Sequence, residues 1–280
     1  MISIITDSCC DLSKELIETN HIRIVPLYVS IGEKSYQDGV DIQTPQLFES
    51  VVKTGKLPKT SAPSIGDFVE VFNQTEGEII FIGIGSSLSA TFQNATLAAQ
   101  QVENRRIYLI DSANLSSGIG LLVMKAVDLK NAGFSAADIY SILQKQSQAI
   151  HTAFMIDTLE YLYMGGRCSA MQNIVGSLLK IRPIIEVRKD GTLGIKDKTR
   201  GARLKGLNNL LEDFKAKLPQ ADLKRVFITH TASDDDAVYL KQELLKIAPI
   251  EQVYITNAGA TIASHCGPGT IGILYLSRID

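Results

Sequence analysis

Two hundred and eighty residues with 45% hydrophobic side chains, 21% charged ones and a mean hydropathy of +0.09 exclude a largely disordered chain, because the apolar content can offset the ordering entropy of a globular fold. The length is about twice that of a usual single domain, which predicts two packed units or one large one. With 28 basic against 30 acidic residues and no basic run, the chain has no general attraction for nucleic acid or anionic lipid.

The opening Met-Ile-Ser-Ile-Ile-Thr-Asp has no basic leader region, and no stretch reaches the roughly 18 apolar residues of a spanning helix. The expected location is cytoplasmic, with at most transient membrane contact. The four cysteines, Cys9, Cys10, Cys168 and Cys266, show no zinc-type spacing and form no disulfide framework. Cys9 and Cys10 read as small buried thiols behind a strand, in preference to a redox pair or nucleophile.

In chain order, short aliphatic runs end abruptly in hydroxyl or acidic residues. Ile2-Ser3-Ile4-Ile5 runs into Thr6-Asp7-Ser8, residues 79–84 into Gly85-Ser86-Ser87, and residues 107–110 into Asp111-Ser112. Helical patterns over 90–102 and 118–132 follow two of these runs. Continuous hydrophobic strands alternating with helices predict a parallel sheet covered on both faces, with ligands at the carboxyl ends of the strands. From residue 150 the pattern changes. A strand over 152–157, a helix over 158–164 and the break Gly165-Gly166 precede an amphipathic helix over 169–180, with Ser169 as its cap. A hairpin follows, 183–187 and 192–196 about the turn Lys189-Asp190-Gly191. Helices over 204–218 and 234–247 and strands over 225–229, 252–256 and 272–276 complete an α/β pattern. The predicted fold class is therefore α/β in two domains: an N-terminal parallel sheet between helices over 1–149, and a C-terminal α/β unit with a mixed sheet over 150–280. The ligand is expected between them, across a substantial interface.

Residues 59–64, Lys-Thr-Ser-Ala-Pro-Ser, are expected as a loop before a helix from Ile65, with Ser64 and Asp67 as a capping box. Ser86-Ser87-Leu88-Ser89-Ala90-Thr91 forms a second hydroxyl cluster at a strand end, where helix-start N–H groups favour an anion. No nucleophile elbow, phosphate loop or dinucleotide fingerprint occurs. His265 lies in Ser-His-Cys-Gly-Pro-Gly, expected as a rigid loop into the last strand. Arg167 follows the glycine pair at a helix break and suits a carboxylate or phosphate. Asp234-Asp235-Asp236 reads more simply as an acidic first helical turn than as metal ligands.

These pieces together resemble the DegV family of bacterial fatty-acid-binding proteins, whose characterised members include the lipid-binding components of fatty acid kinases. The resemblance runs nearly end to end. It comprises Ile5-Thr6-Asp7-Ser8, Tyr36-Gln37-Asp38-Gly39-Val40-Asp41-Ile42, Thr60-Ser61-Ala62-Pro63-Ser64, the run from Ser86 to Phe92, Asp111-Ser112, the run from Leu159 to Arg167, and His265-Cys266-Gly267-Pro268-Gly269. It implies a long-chain fatty acid as ligand, no cofactor or metal, and no reaction by this chain alone. A partner fatty acid kinase catalytic subunit would phosphorylate the bound carboxylate, feeding phospholipid synthesis. Thr60, Ser61, Ser89, Ala90 and His265 match the carboxylate-binding positions, Arg167 a nearby arginine, and Arg200 an arginine that engages the kinase. Ala90 replaces the usual family glycine, which predicts an ordinary helical or extended backbone there, and Phe92 replaces the commoner tyrosine.

The chemistry suits the residues. About fourteen methylenes at about 0.8 kcal/mol each make the transfer of a sixteen-carbon tail worth roughly 11 kcal/mol before binding costs. Neutral hydroxyl donors would hold the head while leaving it nucleophilic, as a buried bidentate arginine would not. The alternatives are a small-molecule phosphotransferase of related fold holding phosphate at the strand ends, and a lipid-sensing regulatory module, for which no basic or coiled-coil element is visible.

Overall fold

The structure, a computed structural model, describes residues 1–167 and 181–279. The predicted helix over 169–180 and Cys168 lie outside the described residues.

Four strands form the predicted parallel sheet: β1 (Ile2–Asp7), β2 (Arg23–Val25), β6 (Glu78–Gly83) and β7 (Ile107–Asp111), in the order β2-β1-β6-β7. Their unbroken hydrophobicity has a structural use on each face. Ile5, Ile79 and Phe81 pack under α3 (Ile65–Asn73) and α4 (Thr91–Ala99). The alternating Ile4, Ile80 and Ile82 meet α5 (Ser117–Asn131) and α6 (Ala136–Gln146). A short helix α1 (Lys14–Thr19) joins β1 to β2.

Between β2 and β6 the chain builds a small antiparallel sheet that the sequence pattern does not announce: β3 (Tyr28–Ile31), β4 (Lys34–Gln37) and β5 (Lys59–Ser61), ordered β4-β3-β5, with α2 (Thr44–Thr54) between its last two strands. Residues 59–61 are therefore strand rather than loop, with Val29 opposite Thr60 and Tyr28 opposite Ser61. A strand of three residues is too short to show a period, and its tertiary partner decides it. The capping box at the start of α3 is present: Asp67 N–H donates to Ser64 Oγ at 3.1 Å, and Ser64 N–H to Asp67 Oδ2 at 2.7 Å.

Residues beyond 150 supply a mixed sheet of six strands, ordered β10-β9-β8-β13-β11-β12. These are β8 (Ile150–Met155), β9 (Ile181–Val187), β10 (Leu193–Arg200), β11 (Ala221–His230), β12 (Gln252–Asn257) and β13 (Ile271–Ser277), and only the β11–β12 pair is parallel. The predicted hairpin is β9–β10, its turn closed by Gly191 at φ +79°. One face, with Ala153, Ile184 and Ile228, is covered by α8 (Arg203–Lys217) and α9 (Asp234–Ile247). The other face, with Phe154, Phe227 and Leu274, joins the core of α5 and the parallel sheet. Helix α5 is accordingly buried along most of its length, packed between the two sheets.

Two further short helices lie among the described residues, α7 (Glu160–Met164) and α10 (Ala260–Cys266). His265 thus sits in the last turn of α10, not in the expected loop. Gly267 at φ +75° with Pro268 after it terminates that helix, and in sequence the same Gly-Pro pair suggests a loop throughout.

Candidate functional site

The carboxyl ends of the parallel strands face α10 across an unfilled space of about 450 Å³, counted with its open mouth. Its walls are mainly aliphatic: Leu27 after β2, Ile84 and Leu88 after β6, Leu115 before α5, and Leu162 of α7. A second space of about 320 Å³ shares Leu115, Ile262 and Cys266 with the first and extends to Phe154 and Leu274 on the inner face of the six-stranded sheet. Through these three shared residues the two spaces adjoin, and together they line a mainly apolar recess between the sheets.

Polar side chains gather at the first of these spaces. Thr60 of β5, Ser89 before α4, Arg167 after α7 and His265 of α10 all line it. His265 Nε2 lies 2.7 Å from Thr60 Oγ1, while His265 Nδ1 is shut off from solvent and has no partner. Burial, and secondarily the Arg167 charge, lowers the His265 pKa from 6.5 to about 4, so the ring is neutral at neutral pH. One nitrogen then carries the proton. A buried N–H without an acceptor is rarer and costlier than an acceptor without a donor, so the proton belongs on Nε2, which donates to Thr60 Oγ1. That leaves the Thr60 hydroxyl proton free to point into the recess. Gly165 makes room for the ring: a Cβ there would stand 2.1 Å from Nδ1.

Ser89 Oγ lies 2.8 Å from Thr91 Oγ1 and accepts the Thr91 N–H at 3.3 Å, so the second hydroxyl cluster also caps α4. Arg167 donates from Nε to Leu88 O at 3.1 Å and from Nη1 to Gly165 O at 2.6 Å, tying the loop before α4 to the end of α7. Ala90 has φ −71° and ψ −2°, the helical geometry expected of alanine. Its side chain is exposed and stays off the cavity wall, as does Ser61, which alternates with Thr60 to the other side of β5. Arg200, exposed at the end of β10, is seven residues from the wall residue Leu193, roughly 20 Å along the strand.

Three buried aspartates hold the frame of the site: Asp7 and Asp38 belong to two of the motifs that carry the family resemblance, whereas nothing in the sequence singles out Asp11. Asp11 Oδ1 accepts the Gly259 N–H at 2.8 Å and Asp11 Oδ2 the Ser116 hydroxyl at 2.6 Å. Asp38 accepts from Ala260 N–H at 2.8 Å, Thr261 N–H at 3.1 Å and Ser8 Oγ at 3.0 Å. These two carboxyls anchor the start of α10, whose last turn carries His265. Asp7 holds the loop after β6 through Ile84 N–H at 2.7 Å. Burial pushes Asp7 up to about 7 and Asp11 up to about 8, and raises Asp38. Cys9 and Cys10 are buried thiols whose pKa values burial also raises, which fits packing rather than reactivity. Among the described residues, no cluster of His, Cys, Asp or Glu is arranged to hold a metal, and Asp236 pairs with Arg203 at 2.5 Å.

A family model described as "Uncharacterised protein, DegV family" matches residues 1–278. The chain belongs to the DegV family. A DegV domain-containing protein of Caldanaerobacter subterraneus is 33% identical over 277 residues, spanning 98% of each chain. The structure of a DegV family protein from Thermus thermophilus, reported with fatty acid binding, superposes with a TM-score of 0.92 at 31% identity over 99% of each chain. The Streptococcus pneumoniae fatty acid kinase B3 protein, loaded with linoleic acid, shares the fold at a TM-score of 0.87 and 21% identity, over 99% of this chain and 100% of its own. The pair of sheets, parallel and mixed, is the DegV architecture. No helix among the described residues is long and apolar enough to cross a membrane.

Proposed function

We propose that this DegV protein sequesters a long-chain fatty acid, tail in the apolar recess and carboxylate at its polar end, and presents that head to a partner fatty acid kinase. The observation that carries the reading is a mainly aliphatic recess lined on one side by the hydrogen-bonded Thr60–His265 pair. Fatty acid binding by the Thermus relative and the name of the S. pneumoniae neighbour support the two halves of the proposal respectively.

An unpaired buried carboxylate is costly, so the head must be received by donors. Thr60 and Ser89 supply neutral ones, and Arg167, already committed to two backbone carbonyls, balances charge from one side. Held this way, one carboxylate oxygen stays able to attack the terminal phosphorus of ATP on the kinase, forming an acyl phosphate and releasing ADP. The side chains of Ser61 and Ala90 stay off the recess wall, and the Ala90 backbone N–H at the start of α4 is kept as a candidate donor to the head. Arg200, exposed and remote from the recess, is assigned to the kinase contact. The chain itself performs no reaction, works in the cytoplasm, and closes on its ligand between units 1–149 and 150–280.

Solvent extraction of the denatured purified protein followed by mass spectrometry tests the first half: a stoichiometric fatty acid is expected. Recovery of only nucleotide or phosphate ester would favour a phosphotransferase. Phosphorylation of fatty acid with ATP should require the added kinase subunit, and turnover by this chain alone would overturn the second half.

A further inference from the structure

A third space, about 360 Å³ counted with its open mouth, lies on the opposite face of the six-stranded sheet, under α8. Side chains alternate along β8 and β13, so Phe154 and Leu274 face the lipid recess while His151 and Tyr275 face this one. Its character is the reverse of the first. Lys196 of β10 and Lys217 of α8 both reach Asp213 Oδ1, at 2.7 Å and 3.4 Å, and Lys196 also lies 3.4 Å from Glu186. Tyr275 is 2% exposed, lines the space, and its buried hydroxyl has no hydrogen-bond partner. The ring is held by stacking on His151 at 4.9 Å, and His151 is held by Ser277 Oγ at 2.7 Å. The hydroxyl is therefore fixed in place and lacks a partner, which in a native interior signals a missing water or ligand.

We infer that this cavity binds a phosphate-class oxyanion, received by the Tyr275 hydroxyl and the ammonium groups of Lys196 and Lys217. Each lysine keeps N–H donors beyond those engaged by Asp213 and Glu186. A wider opening of about 700 Å³ shares Ile150, His151, Glu186 and Val187 with the cavity and carries Arg188 and Lys189. From opening to floor the path thus meets Arg188, Lys189, Lys196 and Lys217 against Glu186 and Asp213, an excess of two positive charges that matches a doubly charged anion. His151 registers the same field: burial first, and the nearby Lys217 next, lower its pKa to about 4. The ring is neutral and adds no charge of its own.

The site is independent of the fatty acid, so its test runs on the purified full chain with inorganic phosphate as the probe. Calorimetric titration at constant ionic strength should show one saturable site. Lys217→Met should weaken it at least tenfold and Tyr275→Phe severalfold, the latter with the ring and its stacking retained. Arg167→Ala, in the lipid recess, should leave phosphate affinity unchanged. Competition by glycerol phosphate would identify a phosphate ester as the occupant, and its failure to compete free phosphate; either supports the site. No saturable binding to the wild type, binding unaffected by both cavity variants, or loss only in Arg167→Ala would overturn it. Unchanged circular dichroism confirms that Tyr275→Phe remains folded.

Discussion

Gly165→Ala should disrupt the polar end of the recess without straining the backbone that carries it. Gly165 has φ −73° and ψ −8°, a geometry that alanine adopts freely, so the substitution acts through its methyl group. That carbon would stand 2.1 Å from His265 Nδ1 and 2.8 Å from Cε1, whereas ordinary contact begins at 3.4 Å, so the ring must retreat by about 1.3 Å. Interior packing gives little room for that. A retreat of this size breaks the 2.7 Å bond to Thr60 unless the ring moves straight toward it, where it would collide. Losing the bond costs about 1 kcal/mol and overpacking about 1–3 kcal/mol, offset by up to about 1 kcal/mol from replacing a glycine at a helix end. Thermal denaturation should show a net loss, and displacement of a fluorescent fatty acid about a tenfold weaker affinity. The cycle with His265→Ala isolates the cause. Without the imidazole the new methyl still meets Tyr161 O at 3.0 Å, a close contact but far milder than the one to the ring, so Gly165→Ala should lose most of its cost. Equal destabilisation with and without the ring would refute the reasoning.

Thr60→Val, which keeps shape and removes the hydroxyl, should weaken fatty acid binding by about tenfold, the worth of one hydrogen bond to a charged group; unchanged affinity in a displacement assay would remove Thr60 from the head group. Arg200→Ala should leave that affinity intact and slow acyl phosphate formation with the kinase subunit, whereas normal turnover would remove Arg200 from the contact. Asp7 and Asp11 are raised to about 7 and about 8 from 3.8, so the folded state holds their protons more tightly than the unfolded chain. Their contribution is complete below pH 3.8 and is lost as pH rises through those two values. Urea midpoints should therefore fall from about pH 6.5 to 8.5, where His151 and His265 are already neutral, and Asp11→Asn should flatten that slope; identical slopes would contradict it. Asp38→Asn should be worse than Asp11→Asn in both stability and lipid affinity, because backbone N–H groups occupy both Asp38 oxygens and an amide nitrogen cannot receive one, whereas the Ser116 hydroxyl on the second Asp11 oxygen can turn and accept. Equal effects would show that the acceptor count at Asp38 is irrelevant.

The parallel sheet was legible because strands buried on both faces are hydrophobic at every position, and a run such as residues 79–84 has few other uses. The hairpin was legible because Asp190-Gly191 states its turn chemistry locally. What the sequence concealed depends on partners far along the chain. Strand β5 exists because Val29 and Tyr28 pair with it, and the helical state of residues 260–266 rests on carboxyls more than 200 residues away. Thr60, Ser89, Arg167 and His265 stand out by residue type, and the structure lines one cavity with all four. The aliphatic wall does not, since Leu27, Leu88 and Leu162 look in sequence like any core leucine.

The anchoring of α10 explains why acidic residues stand in the core at all. A helix of seven residues is too short to hold itself in water, yet this one must fix His265 to within hydrogen-bonding tolerance of Thr60 on a different sheet. The first N–H groups of a helix have no intrahelical acceptor, and here they face protein rather than solvent. Gly259 is the N-cap, and Asp11 and Asp38 take its N–H and those of Ala260 and Thr261. Asp11 comes from the turn that follows β1 of the parallel sheet, and Asp38 from just after β4 of the small sheet, where Ser8 braces it. Desolvation opposes burying them, as their raised pKa values record, and the donors they satisfy would be orphaned without them. The same contacts bind α10 to the strand ends of the parallel sheet. The wall that α10 supplies through Ile262 and Cys266 therefore moves with the wall supplied by Ile84 and Leu88, which Asp7 secures from the other side. The recess keeps its shape because buried carboxyls, none of them lining it, join its two walls.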